Sequence, residues 1–164
     1  LEKQDRFLNV LEKYYNNTEN ALPHPFVQKF INMGIKPDFA IDLGCGAGRD
    51  TIYLLHNGWK VLAIDKEDTK EFILKKLDNE ETKRFSFKCQ SFENIEIEKN
   101  NLLVANFSIP FCDKDCFNDF WKRITNSVLK ERLFCWEFFR IKRFLDKYKK
   151  ANGIFIKETS FKFI

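Results

Sequence analysis

Short apolar runs alternate with amphipathic stretches along most of the chain. Residues 1–15 place Phe7, Leu8, Leu11 and Tyr15 at spacings of one, three and four, a single helical face. Asn16-Asn17-Thr18 breaks that helix, and Pro23 and Pro25 hold Leu22 and His24 out of the helical region. Residues 26–33 read as a second short helix ended by Gly34. Phe39-Ala40-Ile41-Asp42-Leu43 has the length and continuity of a buried parallel strand. Ile52, Leu54 and Leu55 mark a helix after it, with Gly58 where a helix end favours positive φ. Residues 59–64 form a second strand that delivers Asp65 at its C-terminal end.

Farther on, Phe72, Ile73 and Leu77 share one helical face, and residues 85–89 alternate as a third strand. Residues 102–106 make a fourth, buried strand. Phe117, Phe120, Trp121, Ile124 and Val128 line a helix over residues 117–129, and residues 132–139 form a fifth strand. A basic amphipathic helix over residues 140–150 and one or two short strands over residues 153–164 close the chain. Strands alternating with helices predict an α/β domain with a doubly wound, mainly parallel sheet.

The chemistry concentrates where the first strand ends. Gly44, Gly46 and Gly48 stand at alternate positions, so the turn bends sharply and its backbone is open to close approach. Free N–H groups at the start of the following helix suit an anionic group. Asp65 lies 21 positions beyond Gly44, near the spacing of ~20 at which an acid grips ribose hydroxyls. A nucleoside-containing cofactor is the leading expectation. The dinucleotide fingerprint wants glycine at its sixth place, where this chain has Arg49, so pyrophosphate would meet a bulky side chain.

Composition narrows the class. At 164 residues, with 44% hydrophobic and 32% charged residues, the chain is large enough for one domain with a core. Its net charge of +4 is no argument for nucleic acid. Five cysteines, odd in number and scattered, suit a reducing cytosol better than a disulfide framework, so a cytoplasmic protein is expected. No apolar run approaches the ~20 residues of a membrane helix. Cys112 and Cys116 lack a partnering His or second cysteine pair, and no metal is expected. The chain starts at Leu1 rather than Met, which leaves open what precedes it.

The string Asp42-Leu43-Gly44-Cys45-Gly46-Ala47-Gly48 resembles the first motif of class I S-adenosylmethionine-dependent methyltransferases. With Arg49-Asp50-Thr51 and Gly58 before the second strand, it is most similar to their small tellurite-resistance and thiopurine-type branch. The resemblance implies a Rossmann-like α/β/α sandwich with strand order 3-2-1-4-5, and S-adenosyl-L-methionine as cofactor. It implies one domain over residues 1–164, with residues 1–36 as a helical cap and 37–164 as the cofactor-binding core. In this reading Gly44, Cys45, Gly46 and Gly48 support the methionine portion, Asp42 orients its amino end and Asp65 holds the ribose. Ser91 occupies the place where the family commonly has an acid for the adenine amino group, and Phe92 borders the base.

Asn106 to Phe111 should line the crevice where the methyl group is delivered. Asn106-Phe107-Ser108-Ile109-Pro110-Phe111 is superficially similar to the Asn-Pro-Pro-aromatic motif of amino methyltransferases, but Phe107-Ser108 replaces the prolines. It more closely resembles the fourth-strand tip of the tellurite-resistance branch. Tyr15, His24, Phe107 and Pro110 are the acceptor-side candidates, and Tyr14 and Tyr15 either line that pocket or merely pack the first helix. The expected acceptor is a small, soft nucleophile of thiol or chalcogen-oxyanion type, which needs no general base. The expected assembly is a monomer or weak homodimer, without membrane or nucleic-acid partners.

Two departures from the family bear on activity. Lys130-Glu131 stands where a Gly pair usually precedes the fifth strand, and about a dozen residues remain for the C-terminal hairpin. Either the hairpin is abbreviated or the chain is a truncated copy whose cofactor half survives. A binding protein without turnover, and an RNA methyltransferase supported by the basic helix alone, stay as alternatives.

Overall fold

The structure, a computed structural model, describes residues 21–135. Helix α1 (Pro25–Asn32) leads into β1 (Phe39–Leu43), α2 (Arg49–His56) and β2 (Lys60–Asp65). Two short helices, α3 (Lys70–Leu74) and α4 (Asn79–Arg84), precede β3 (Phe85–Cys89) and β4 (Asn100–Val104). A 3₁₀ turn at Ile109–Phe111, α5 (Phe117–Ser127) and β5 (Val128–Cys135) complete the described part. The sheet is five-stranded, ordered β3-β2-β1-β4-β5, and every neighbouring pair is parallel. That is the expected doubly wound order, with its reversal point between β1 and β4. The predicted helix over residues 1–15, Tyr14, Tyr15, the basic helix over 140–150 and the closing strands lie outside the described residues.

Pleating sends successive side chains to opposite faces, and parallel strands need both faces covered. Ala40, Val61, Leu102 and Val104 face Val27 and Phe30 of α1, Leu54 and Leu55 of α2, and Trp59. Ile41, Leu43, Ile64 and Leu103 face Phe117, Phe120 and Ile124 of α5. A smaller cluster of Cys45, Ala63 and Ile73 packs α3 beside the glycine turn. Edge strand β3 half-buries Phe85 and Phe87 and exposes Ser86 and Lys88, the alternation read from sequence.

Several boundaries move. The single helical face expected for Phe72, Ile73 and Leu77 is divided, because Asp78 restarts the chain as α4. Its carboxylate accepts from the Glu81 N–H while the Glu81 side chain accepts from the Asp78 N–H, a reciprocal cap. Asp78→Ala should cost about 1 kcal/mol, read as a lower urea midpoint; an unchanged midpoint would show the cap to be dispensable. Strand β4 starts two residues early because Asn100 is fully buried and donates to Glu98 O and Ser127 Oγ. Strand β5 starts at Val128, not 132, so Lys130-Glu131 lie inside the strand and not in a turn before it. The β4–β5 register is irregular between Asn100 and Leu102, which accommodates the early start.

Candidate functional site

The C-terminal ends of β1, β2 and β4 converge on the glycine turn. Gly44, Gly46 and Gly48 have φ of +72°, +54° and +84°, a run that side-chain-bearing residues rarely adopt. The room left by two of them goes to neighbours. A Cβ on Gly44 would stand 2.2 Å from Ser108 Cβ, and one on Gly48 would stand 2.4 Å from Ile73 Cγ1. These glycines therefore let β4 and α3 close onto the turn. At Gly44 and Gly48 the missing side chain makes room for Ser108 and Ile73.

Acidic side chains surround that turn. Asp65, at the tip of β2, accepts from the Gly46 N–H at 2.8 Å through one oxygen and from the Glu67 N–H at 3.1 Å through the other. Asp42 is buried inside β1 and accepts from Thr51 Oγ1 at 2.7 Å. Burial, and then the neighbouring Asp50 carboxylate, raise its carboxyl from the ordinary 3.8 to about 7, against the pull of Thr51 and Arg49. Cys45 is buried, and loss of hydration together with Asp42 and Asp65 pushes its thiol well above the usual range. It stays a neutral thiol, unsuited to attack.

Asp42 gives the fold a pH dependence of defined sign. The unfolded chain gives up this proton near pH 4 and the folded one near 7, so folding stability from this group falls as pH rises across that window. Asp42→Asn should remove that decline, seen as a flatter plot of urea midpoint against pH from about 4 to about 7. An unchanged slope would place the titration elsewhere.

Asp50 is the residue the sequence reading left without a role. It sits in the first turn of α2, almost wholly buried, and collects donors from two distant segments and from its own helix. The His24 N–H reaches Oδ1 at 2.7 Å, Asn106 Nδ2 reaches Oδ2 at 2.8 Å, and Arg49 Nε reaches Oδ1 at 3.2 Å. Local sequence carries no signal for this: an acid in a helix's first turn ordinarily reads as a solvent-exposed partner of the dipole.

Two of the acceptor-side candidates, His24 and Phe107, meet at the β4 tip. The rings of His24 and Phe107 touch edge-on with centroids 5.5 Å apart. Phe107 has φ of +63°, a strained conformation for a side-chain-bearing residue that costs about 1–2 kcal/mol. Among the described residues, Asn106 Oδ1 and Ser108 Oγ are buried without a hydrogen-bond partner. His24 caps α1, its Nδ1 accepting from the Phe26 N–H, and His56 pairs with Glu81 at the far end of α2. Phe92 stacks on Phe120 at 5.0 Å, with its ring edge 3.5 Å from where a Gly44 Cβ would be. Ser91 is exposed at the β3 exit and bonds the Glu93 carboxylate, which lowers the latter's pKa. Pro110 is the second residue of the 3₁₀ turn beyond Phe107.

Residues 6–131 match the family model of tellurite resistance protein TehB. The chain belongs to the TehB family. Among solved structures, TehB from Haemophilus influenzae is 21% identical with a TM-score of 0.59, over 69% of this chain and 40% of that one. A 1,6-didemethyltoxoflavin-N1-methyltransferase from Burkholderia thailandensis, with 1,6-didemethyltoxoflavin and S-adenosylhomocysteine bound, is 20% identical with a TM-score of 0.66. That match covers 80% of this chain and 59% of the other. No curated protein matches the sequence. At such identities the likeness establishes the fold of the class I methyltransferases, and this TehB-family chain spans less than two thirds of both proteins. Among the described residues, no helix is long and apolar enough to cross a membrane.

Proposed function

We propose that the chain is an S-adenosyl-L-methionine-dependent methyltransferase acting in the cytosol on a small, soft nucleophile of thiol or chalcogen-oxyanion type. The observation that carries this reading is the charge around the glycine turn. Asp65 presents its carboxylate at the turn, with Asp42 and Asp50 buried behind it and Arg49 paired to Asp50. Such a crevice repels a pyrophosphate and suits a ligand bearing a sulfonium and an ammonium. The residues present fit that cofactor, which when bound supplies an electrophilic methyl group on a positively charged sulfur.

The chain's own residues then have distinct tasks. Asp65 holds the ribose hydroxyls: its two oxygens offer about four lone-pair sites, of which Gly46 and Glu67 use two. Asp42 faces the amino end, and Gly44, Cys45, Gly46 and Gly48 shape the backbone around the methionine portion. Phe92 borders the adenine, with Ser91 beside it. Asn106, Phe107 and Pro110 at the β4 tip, with His24 and Tyr15 from the cap over residues 1–36, enclose the acceptor and exclude water. Neither histidine is placed as a base, since His24 Nδ1 caps a helix and His56 lies away from the turn. An acceptor that is already nucleophilic requires none.

Incubating the chain with a radiolabelled methyl donor and a panel of thiols, selenite, tellurite, amines and RNA tests the proposal. Label should pass to a thiol or chalcogen oxyanion. Transfer only to amines or RNA would overturn the acceptor class, and tight cofactor binding with no transfer to any acceptor would overturn the enzymatic reading.

A further inference from the structure

We propose that Asp50 is a positioning residue that latches the entry of the N-terminal cap onto the tip of β4 and so fixes the orientation of Asn106; its bearing on methyl transfer rests on the function proposed above. The carboxylate spans long sequence separations. It accepts the His24 N–H from 26 residues upstream and Asn106 Nδ2 from 56 residues downstream, both bonds buried. Arg49 steadies it from its own helix, Nε to Oδ1 at 3.2 Å and a terminal guanidinium nitrogen to Oδ2 at 3.3 Å. Both oxygens are thus committed, one toward the cap and one toward β4.

That commitment decides which way Asn106 faces. An ionised carboxylate only accepts, so the amide must turn its NH2 toward Asp50. Its Oδ1 is then left buried and without a partner among the described residues, directly before Phe107 at positive φ. The same two segments meet again where the His24 and Phe107 rings touch. A strained residue persists only where its surroundings over-determine it. Here the Asp50–Asn106 bond holds one side of the turn and the His24 ring the other. Loss of Asp50 would release the cap entry and the β4 tip together, and let the Asn106 amide rotate.

Amide hydrogen exchange on the full chain tests this. In Asp50→Asn, exchange at His24 and at residues 107 and 108 should speed up about tenfold, the scale of replacing a charged acceptor by a neutral amide. Amides of β2 should change little. The exchanged pair, Asp50→Asn with Asn106→Asp, restores a donor facing a carboxylate and should return His24 to within about threefold of the unmodified chain. A merely structural role would instead raise exchange across the sheet and gain nothing from the swap. If Asp50→Asn does not fold, Asn106→Ala severs one arm alone and should loosen residues 107 and 108. Unchanged exchange at 107 and 108 in that variant, or failure of the swap to protect His24, overturns the latch. Calorimetry of the unmodified chain with S-adenosylhomocysteine runs alongside: absence of binding would sink the methyltransferase reading, while the exchange data would still decide the latch.

Discussion

Gly44→Ala is expected to destabilise the chain by about 2–5 kcal/mol, a large part of the ~5–15 kcal/mol typical of a domain. Two independent effects combine. At φ of +72° an alanine sits in the left-handed region, at a cost of about 1–2 kcal/mol. Its Cβ would also stand 2.2 Å from Ser108 Cβ, a contact that closes only if β1 or the β4 tip moves, and overpacking of this kind costs about 1–3 kcal/mol. Gly34→Ala separates the two. Its φ is +69° but none of the described residues lies within 4 Å of the added carbon, so only the backbone cost of about 1–2 kcal/mol should appear. Combining Gly44→Ala with Ser108→Gly should recover the overlap and leave the backbone strain. Urea unfolding of the three variants beside the unmodified chain is the measurement. If Gly44→Ala cost no more than Gly34→Ala, the close approach of the β1 and β4 tips would be wrong, and with it the shape given to the crevice.

Asp65→Ala should weaken binding of S-adenosylhomocysteine about 100-fold with the fold retained. Two charge-assisted hydrogen bonds to ribose hydroxyls are at stake, and the loss corresponds to about 2.7 kcal/mol. The Gly46 N–H also loses its partner at 2.8 Å, so a small fall in stability should accompany the loss. Asp65→Asn keeps an acceptor without the charge and should fall between the two. Calorimetry checks both variants, and unchanged affinity in Asp65→Ala would remove this residue from the site.

Legibility of this chain followed the range of the interactions involved. Phe39–Leu43 and Phe85–Cys89 emerge with the boundaries read from their residues, because a continuous apolar run and a strict alternation are local signals. The Gly58 helix end is equally local, with φ of +86° where the pattern asked for it. The Asp78–Glu81 reciprocal cap was also readable, as an acid three residues before another, but an apolar face traced through Leu77 obscured it. Val128 was assigned to the helix face because its spacing from Ile124 fits a helix, whereas pairing with Asn100 makes it the first residue of β5. Asp50 was out of reach of any pattern. Its partners are distant in sequence, and only the closed sheet brings them together. The neighbours of Gly44 and Gly48 follow the same rule: a glycine announces a need for room but not the occupant, here Ser108 and Ile73.

A crystal structure of the chain grown with S-adenosylhomocysteine bears most directly on the central claim, that the acid-lined turn after β1 receives a sulfonium nucleoside. The predicted result places the ribose on Asp65, the adenine beside Phe92 and the amino acid portion along Gly44 to Gly48. Ligand bound elsewhere on the molecule, or a crevice left empty at saturating concentration, would contradict the account.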